Sequence, residues 1–201
     1  MSDFTTVDLL RHGEPEGGQK FRGAIDDPLS PCGWQQMRMT VGEYGGWQTI
    51  VSSPLIRCAA FARELAERLE RPLEIVPEFV EVSFGIWEGR SVADVNAADP
   101  LTLARFWRDP VAYPIPQGEP IADFDRRIGQ AWDALLEHYR GCHILLVAHG
   151  GVIRMVLRRL LDMPVQRIWR IEVPFAAISR IRLHRDPGSE PHLVFHNGRL
   201  A

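Results

Sequence analysis

Two histidines and two arginines stand where they can share one ligand. Arg11-His12-Gly13-Glu14 follows the apolar run Val7-Asp8-Leu9-Leu10, and His149-Gly150-Gly151 follows the strand-like His143-Ile144-Leu145-Leu146-Val147-Ala148 and precedes the helical run 152–157. A third unit has the same form: Thr49-Ile50-Val51 reads as a short strand, and Ser52-Ser53-Pro54-Leu55-Ile56-Arg57 turns it into a helix with Arg57 in its first turn. Open α/β sheets bind ligands at the carboxyl ends of their strands. Guanidinium forks match phosphate oxygens, and helix-start amides after Pro54 and Gly150 add partial positive charge. The ligand that these residues predict is a phosphate group.

The chain resembles the histidine phosphatase superfamily in its mutase-like branch. That branch carries an Arg-His-Gly-Glu opening, a Ser-Ser-x-Leu-x-Arg segment, a Glu before Phe-Gly-x-Trp-Glu-Gly, and a late His-Gly-Gly. Here they stand in order as Arg11 to Glu14, Ser52 to Arg57, Glu81-Val82-Ser83-Phe84-Gly85-Ile86-Trp87-Glu88-Gly89, and Ala148-His149-Gly150-Gly151-Val152-Ile153-Arg154. Four spaced motifs across nearly the whole chain are a specific signal. Gly23 to Ser30, Phe106 to Pro110 and Gln117 to Pro120 are most similar to alpha-ribazole phosphatase-like members. Two positions depart from the pattern: Pro15-Glu16-Gly17-Gly18 stands where many members have Thr and then Asn, and Phe61 where many have Thr.

The resemblance implies catalysis by His12, Glu81, Arg11, Arg57 and His149, with Arg11, Arg57, His149, Gly150 and Arg22 binding the substrate and no metal or cofactor. Phosphomonoester cleavage needs a nucleophile, positive charge for the equatorial oxygens and a proton for the leaving alkoxide. His12 is the expected nucleophile, forming a phosphohistidine; a backbone carbonyl on its other ring N–H would fix the tautomer. Arg11, Arg57 and a His149 that strengthens as a donor on protonation would surround the oxygens. Loss of one charged donor costs about 3 kcal/mol of transition-state stabilisation. Glu81 is the expected general acid and then general base, its carboxyl raised in pKa by apolar neighbours, with Glu14 and Glu88 as alternatives. Arg22 either replaces the loop asparagine or is solvated, and Glu119 supports a helix start rather than the chemistry.

Composition narrows the class. With 201 residues, the chain can bury one sizeable core, and a single domain over 1–201 is expected. A formal charge of −3 and dispersed arginines argue against nucleic acid. Three cysteines, Cys32, Cys58 and Cys142, lack zinc-site or disulfide-framework spacing. No signal-like start and no membrane-length apolar run is seen, so a cytoplasmic location without a membrane partner is expected. The partner is a small-molecule phosphate ester, with a homo-oligomer left open.

Strand and helix patterns alternate, which predicts α/β architecture: a three-layer sandwich with a mostly parallel central sheet and helices on both faces. Ser30 caps a helix with Pro31 at its first position; Leu55 to Leu69 is a second, and Ile121 to Tyr139 a third, with Phe124, Ile128, Trp132 and Leu135 as its apolar stripe. Residues 84–120, rich in proline, read as a lid-like insertion over the carboxyl edge of the strands. In it, Trp87, Phe106, Trp107 and Tyr113 are candidates to touch a leaving group or simply to hold the insertion together. Ala177 to His184 and Leu193 to His196 alternate as a hairpin or edge pair, with His138, His184, His192 and His196 as surface residues.

The expected function is hydrolysis of a small organic phosphomonoester, with alpha-ribazole 5'-phosphate of cobalamin biosynthesis as the named substrate. The alternatives are a cofactor-dependent phosphoglycerate mutase, disfavoured by the loop after Glu14, and a non-catalytic phosphate-ligand binding protein.

Overall fold

A computed structural model describes residues 3–186 and 188–200. Six strands form one sheet: β1 (Phe4–Arg11), β2 (Thr49–Ser52), β3 (Leu73–Ile75), β4 (His143–Ala148), β5 (Ile178–His184) and β6 (His192–Phe195). Their order is β3-β2-β4-β1-β5-β6. The β3, β2, β4 and β1 neighbours are parallel, and β5 and β6 are added antiparallel. The expected α/β sheet is therefore mostly parallel, with the hairpin at one edge.

The pleat divides the core. Val7 and Leu9 of β1 and Ile144 and Leu146 of β4 face one side, packed with α5 (Ile121–His138) and α6 (Gly150–Leu160). Leu10, Leu145 and Val147 face the other, packed with α1 (Pro31–Val41) and α2 (Ile56–Leu69). Strands buried on both faces are apolar throughout, which is why β4 reads as an unbroken run. Phe124, Ile128, Trp132 and Leu135 of α5 are all buried, as their helical spacing requires.

Ser30 caps α1, its hydroxyl accepting from the Gly33 amide at 3.0 Å. The start of α1 lies hard against the loop after His12: a Cβ on Gly13 would stand 2.1 Å from the Gly33 carbonyl oxygen. Only glycine permits that approach, and it fixes the chain leaving β1.

Away from the carboxyl edge, β1 carries a buried acid. The Asp8 carboxylate accepts from Trp47 Nε1 at 2.7 Å and from Arg180 Nε and its terminal nitrogen at 2.7 and 2.9 Å, with His143 Nε2 at 2.9 Å. These partners hold the Asp8 carboxyl below its ordinary value against the opposing effect of burial, which is the larger single influence.

Residues 84–120 contain a short turn of 3-10 helix (Gly85–Trp87), α3 (Val92–Ala98) and α4 (Pro100–Arg108). Among the described residues no helix is long and apolar enough to cross a membrane.

Candidate active site

Arg11 ends β1 and His12 is the next residue, its amide donating to the Ala148 carbonyl at 3.0 Å at the end of the neighbouring β4. The two strand-end histidines are thereby brought together, with ring centroids 5.2 Å apart. A cleft of about 950 Å³ opens at this edge, lined by Arg11, His12, Arg22, Arg57, Glu81 and Gly150 among others.

His12 is buried, and its Nδ1 lies 2.8 Å from the Gly13 carbonyl oxygen. A carbonyl only accepts, so Nδ1 carries the proton and Nε2 keeps its lone pair. Burial, then the charges of Arg11 and Arg57, holds the imidazole well below its ordinary pKa. The ring is therefore neutral at neutral pH, the form in which an imidazole is nucleophilic.

The two guanidiniums are anchored from behind. Arg57 is fully buried in the first turn of α2 and donates to the carbonyls of Ile25 and Gly23 at 2.6 and 2.9 Å. The same loop returns the tie, because Asp26 accepts from the Ile56 amide at 2.6 Å and so supplies the cap that Leu55 cannot. Arg11 donates to the Val173 carbonyl at 2.5 Å and lies over the Phe175 ring at 4.2 Å. Burial and the nearby Arg154 pull Arg11 down to about 10, so it stays charged at neutral pH. The Nε–H of each has no partner among the described residues. A buried donor without an acceptor costs about 1–3 kcal/mol, which an anion in the cleft would offset.

Arg22 is not solvated. It is 6% exposed, pairs with Asp27 at 3.0 Å, and donates to the carbonyls of Glu16 and Gly18 at 2.6 Å each. It braces the unusual Glu16 to Gly18 loop while lining the cleft.

His149 differs from the expectation of a donor that gains strength on protonation. It is fully buried beside His12, and burial followed by the charge of Arg57 keeps it well below its ordinary pKa. Its Nε2 shares a 2.6 Å hydrogen bond with Ser53 Oγ, and Cys58 Sγ lies 3.7 Å from both ring nitrogens. The neutral ring is a wall behind His12.

Glu81 lies across the cleft on the loop after Pro77–Phe79. Its Oε2 accepts from the Gly151 amide at 2.9 Å, at the start of α6, and its Oε1 from the Val82 amide at 3.1 Å. Arg127 of α5 holds this loop by donating to the carbonyls of Glu78 and Val80, and Glu119 clamps Arg127 with contacts of 3.0 and 2.7 Å. Glu119 is thus part of a brace. Glu88 accepts from the Ala24 and Phe84 amides and the Ser83 hydroxyl, which ties loops together outside the cleft.

Several cleft residues carried no sequence signal of their own. Arg154 is the exception: it closes the segment that carries the late His-Gly-Gly motif, and it lines the cleft four residues after Gly150 on the same face of α6. Trp169 and Phe175 come from the segment between α6 and β5, and only the fold brings them in. Of the aromatic candidates in 84–120, Trp107 lines the cleft, whereas Trp87 and Phe106 are core residues and Tyr113 packs near Arg105 and Arg108.

One cleft at the carboxyl edge of the sheet thus brings together a strand-end histidine, two arginines and a carboxylate. The model of the histidine phosphatase superfamily (branch 1) matches residues 7–195, and the chain belongs to that superfamily. It is 32% identical over 201 residues to a bifunctional protein of Mycobacterium tuberculosis, covering 98% of this chain and 55% of that one. The chain thus spans about half the length of its mycobacterial relatives. It is 30% identical to the adenosylcobalamin/alpha-ribazole phosphatase of Salmonella typhimurium, over 82% of this chain and 84% of the relative. A phosphoserine phosphatase mutant from Entamoeba histolytica, solved in complex with phosphoserine, is similar with a TM-score of 0.83 and 25% identity, covering 96% of this chain and 97% of that one.

Proposed function

We propose that the chain is a phosphomonoesterase that hydrolyses a small organic phosphate ester through a phosphohistidine on His12. The observation that carries this reading is the Nδ1 contact of His12 with the Gly13 carbonyl, which leaves a neutral Nε2 beside two anchored guanidiniums. In the first step Nε2 bonds to phosphorus, the bond to the ester oxygen breaks, and protonated Glu81 gives its proton to the leaving alkoxide. In the second, Glu81 takes a proton from water as the water oxygen bonds to phosphorus, and the phosphorus–nitrogen bond breaks to release phosphate. Arg11 and Arg57 hold the transferring oxygens, Gly150 and Arg22 complete their surroundings, and His149 positions the nucleophile. Residues 84–120 act as a lid in this reading. The relative from Salmonella typhimurium makes alpha-ribazole 5'-phosphate the candidate substrate.

The test is brief reaction with phosphorus-labelled ester and an alkaline quench. Acid-labile label on the protein, absent from His12→Ala, is the expected result. A fully active His12→Ala would overturn the proposal.

A further inference from the structure

The cleft extends beyond its phosphate end. Two indoles line this extension: Trp107 from α4, and Trp169 from the short 3-10 helix Val165–Arg170 after α6. Their rings meet edge-on with centroids 4.9 Å apart, and Trp107 also lies nearly parallel to Phe21 at 6.1 Å. Phe21 and Phe84 continue the wall.

Three features make this wall more than a piece of core. Trp107 is 36% exposed, unlike Trp87 and Phe106, which are 2% and 1% exposed and hold the insertion together. The Trp169 indole N–H is buried with no hydrogen-bond partner among the described residues, an unmet donor that favours an acceptor on a ligand. At about 950 Å³ the cleft stands near the top of the range of roughly 300–1,000 Å³ that accepts drug-sized organic ligands.

We infer that Trp107 and Trp169 form a ring-binding subsite, and that the substrates are monophosphates of alcohols bearing a planar ring. The inference rests on the phosphomonoesterase reading and names its substrate class. Ring stacking on an aromatic side chain adds affinity in a manner tolerant of ring identity.

The test compares adenosine 5'-monophosphate with ribose 5-phosphate, which share the scissile ester and differ by the ring. The expected kcat/KM ratio is about tenfold in favour of the ring-bearing ester. Trp107→Ala and Trp169→Ala should each bring the ratio toward one, and Trp107→Phe should keep most of it. A ratio of one in the unaltered protein, or a preference that survives both alanine variants, would overturn the subsite. If no ester is hydrolysed, the phosphomonoesterase reading falls separately. Calorimetric dissociation constants of the same two esters then decide the subsite, and equal values overturn it.

Discussion

Glu81 occupies the space that a side chain on Gly151 would need. Its Oε2 accepts the Gly151 amide at 2.9 Å, and a Cβ built on Gly151 would stand 2.2 Å from Oε1. The first turn of α6 thus serves two groups of the cleft, with Gly150 beside the guanidiniums of Arg11 and Arg154 and Gly151 seating the Glu81 carboxylate. Gly151→Ala should displace the Glu81 carboxylate and lower kcat for alkyl phosphates by about 10²-fold, the scale of a lost general acid. Inhibition by inorganic phosphate, measured alongside, should change far less.

Glu81→Gln separates the acid from the base. A p-nitrophenolate leaves with little protonation and an alkoxide needs much, so the variant should slow phosphoryl transfer strongly for alkyl esters and weakly for the aryl ester. With p-nitrophenyl phosphate it should accumulate phosphohistidine, since water activation still lacks its base. Single-turnover rates and trapped label read both effects; equal slowing without an intermediate would remove Glu81 from the role.

The buried histidines give stability a defined pH dependence. His12 and His149 are held well below the ordinary value of 6.5 by burial and by neighbouring arginines. Below 6.5 the unfolded chain takes up protons that the folded one refuses, so their contribution is complete above 6.5 and declines as the pH falls toward the depressed folded values. Urea unfolding at pH 7.5, 6.5 and 5.5 should show this loss, and His12→Asn should flatten it. Catalysis should show no inflection at 6.5 from His12 itself.

In the proposed reaction Arg11 and Arg57 provide the positive charge that a metal provides in metallophosphatases. Hydrolysis should therefore persist in excess EDTA. A loss restored by zinc or magnesium would assign the charge to an ion instead.

Asp8 offers a test of the scaffold apart from the site. Asp8→Asn leaves Arg180 beside a neutral amide, and truncating one partner of a buried charge cluster costs about 3–5 kcal/mol. Chemical denaturation should show a loss of that order. The lowered Asp8 carboxyl also makes stability fall at acid pH, below its ordinary 3.8.

The main elements could be read from local order. The apolar runs before His12 and His149 are buried on both faces of the sheet, and Ser30-Pro31 begins α1 by capping chemistry that lies within three residues. The predicted helix 55–69 forms as Ile56–Leu69, with Leu55 before it. Arg11, His12, Arg57 and Gly150 could be singled out because strand ends and helix starts fix where their residues stand, whereas Glu81, on a loop, was singled out only by the resemblance of its motif.

What each side chain does at that place depended on groups distant in the chain. Arg57 has two of its nitrogens tied to carbonyls of Gly23 and Ile25, Arg22 is fastened to its own loop, and His149 is closed in by Ser53 and Cys58. The Trp107–Trp169 pair and the seat of Glu81 on Gly151 join segments that no periodicity connects. Sequence by itself determined the sheet and the strand-end histidines, because these follow from backbone pattern and residue chemistry. Only the tertiary structure decided burial, tautomer and the shape of the cleft, because hydrogen-bond partners and excluded water are properties of packed surfaces rather than of neighbours along the chain.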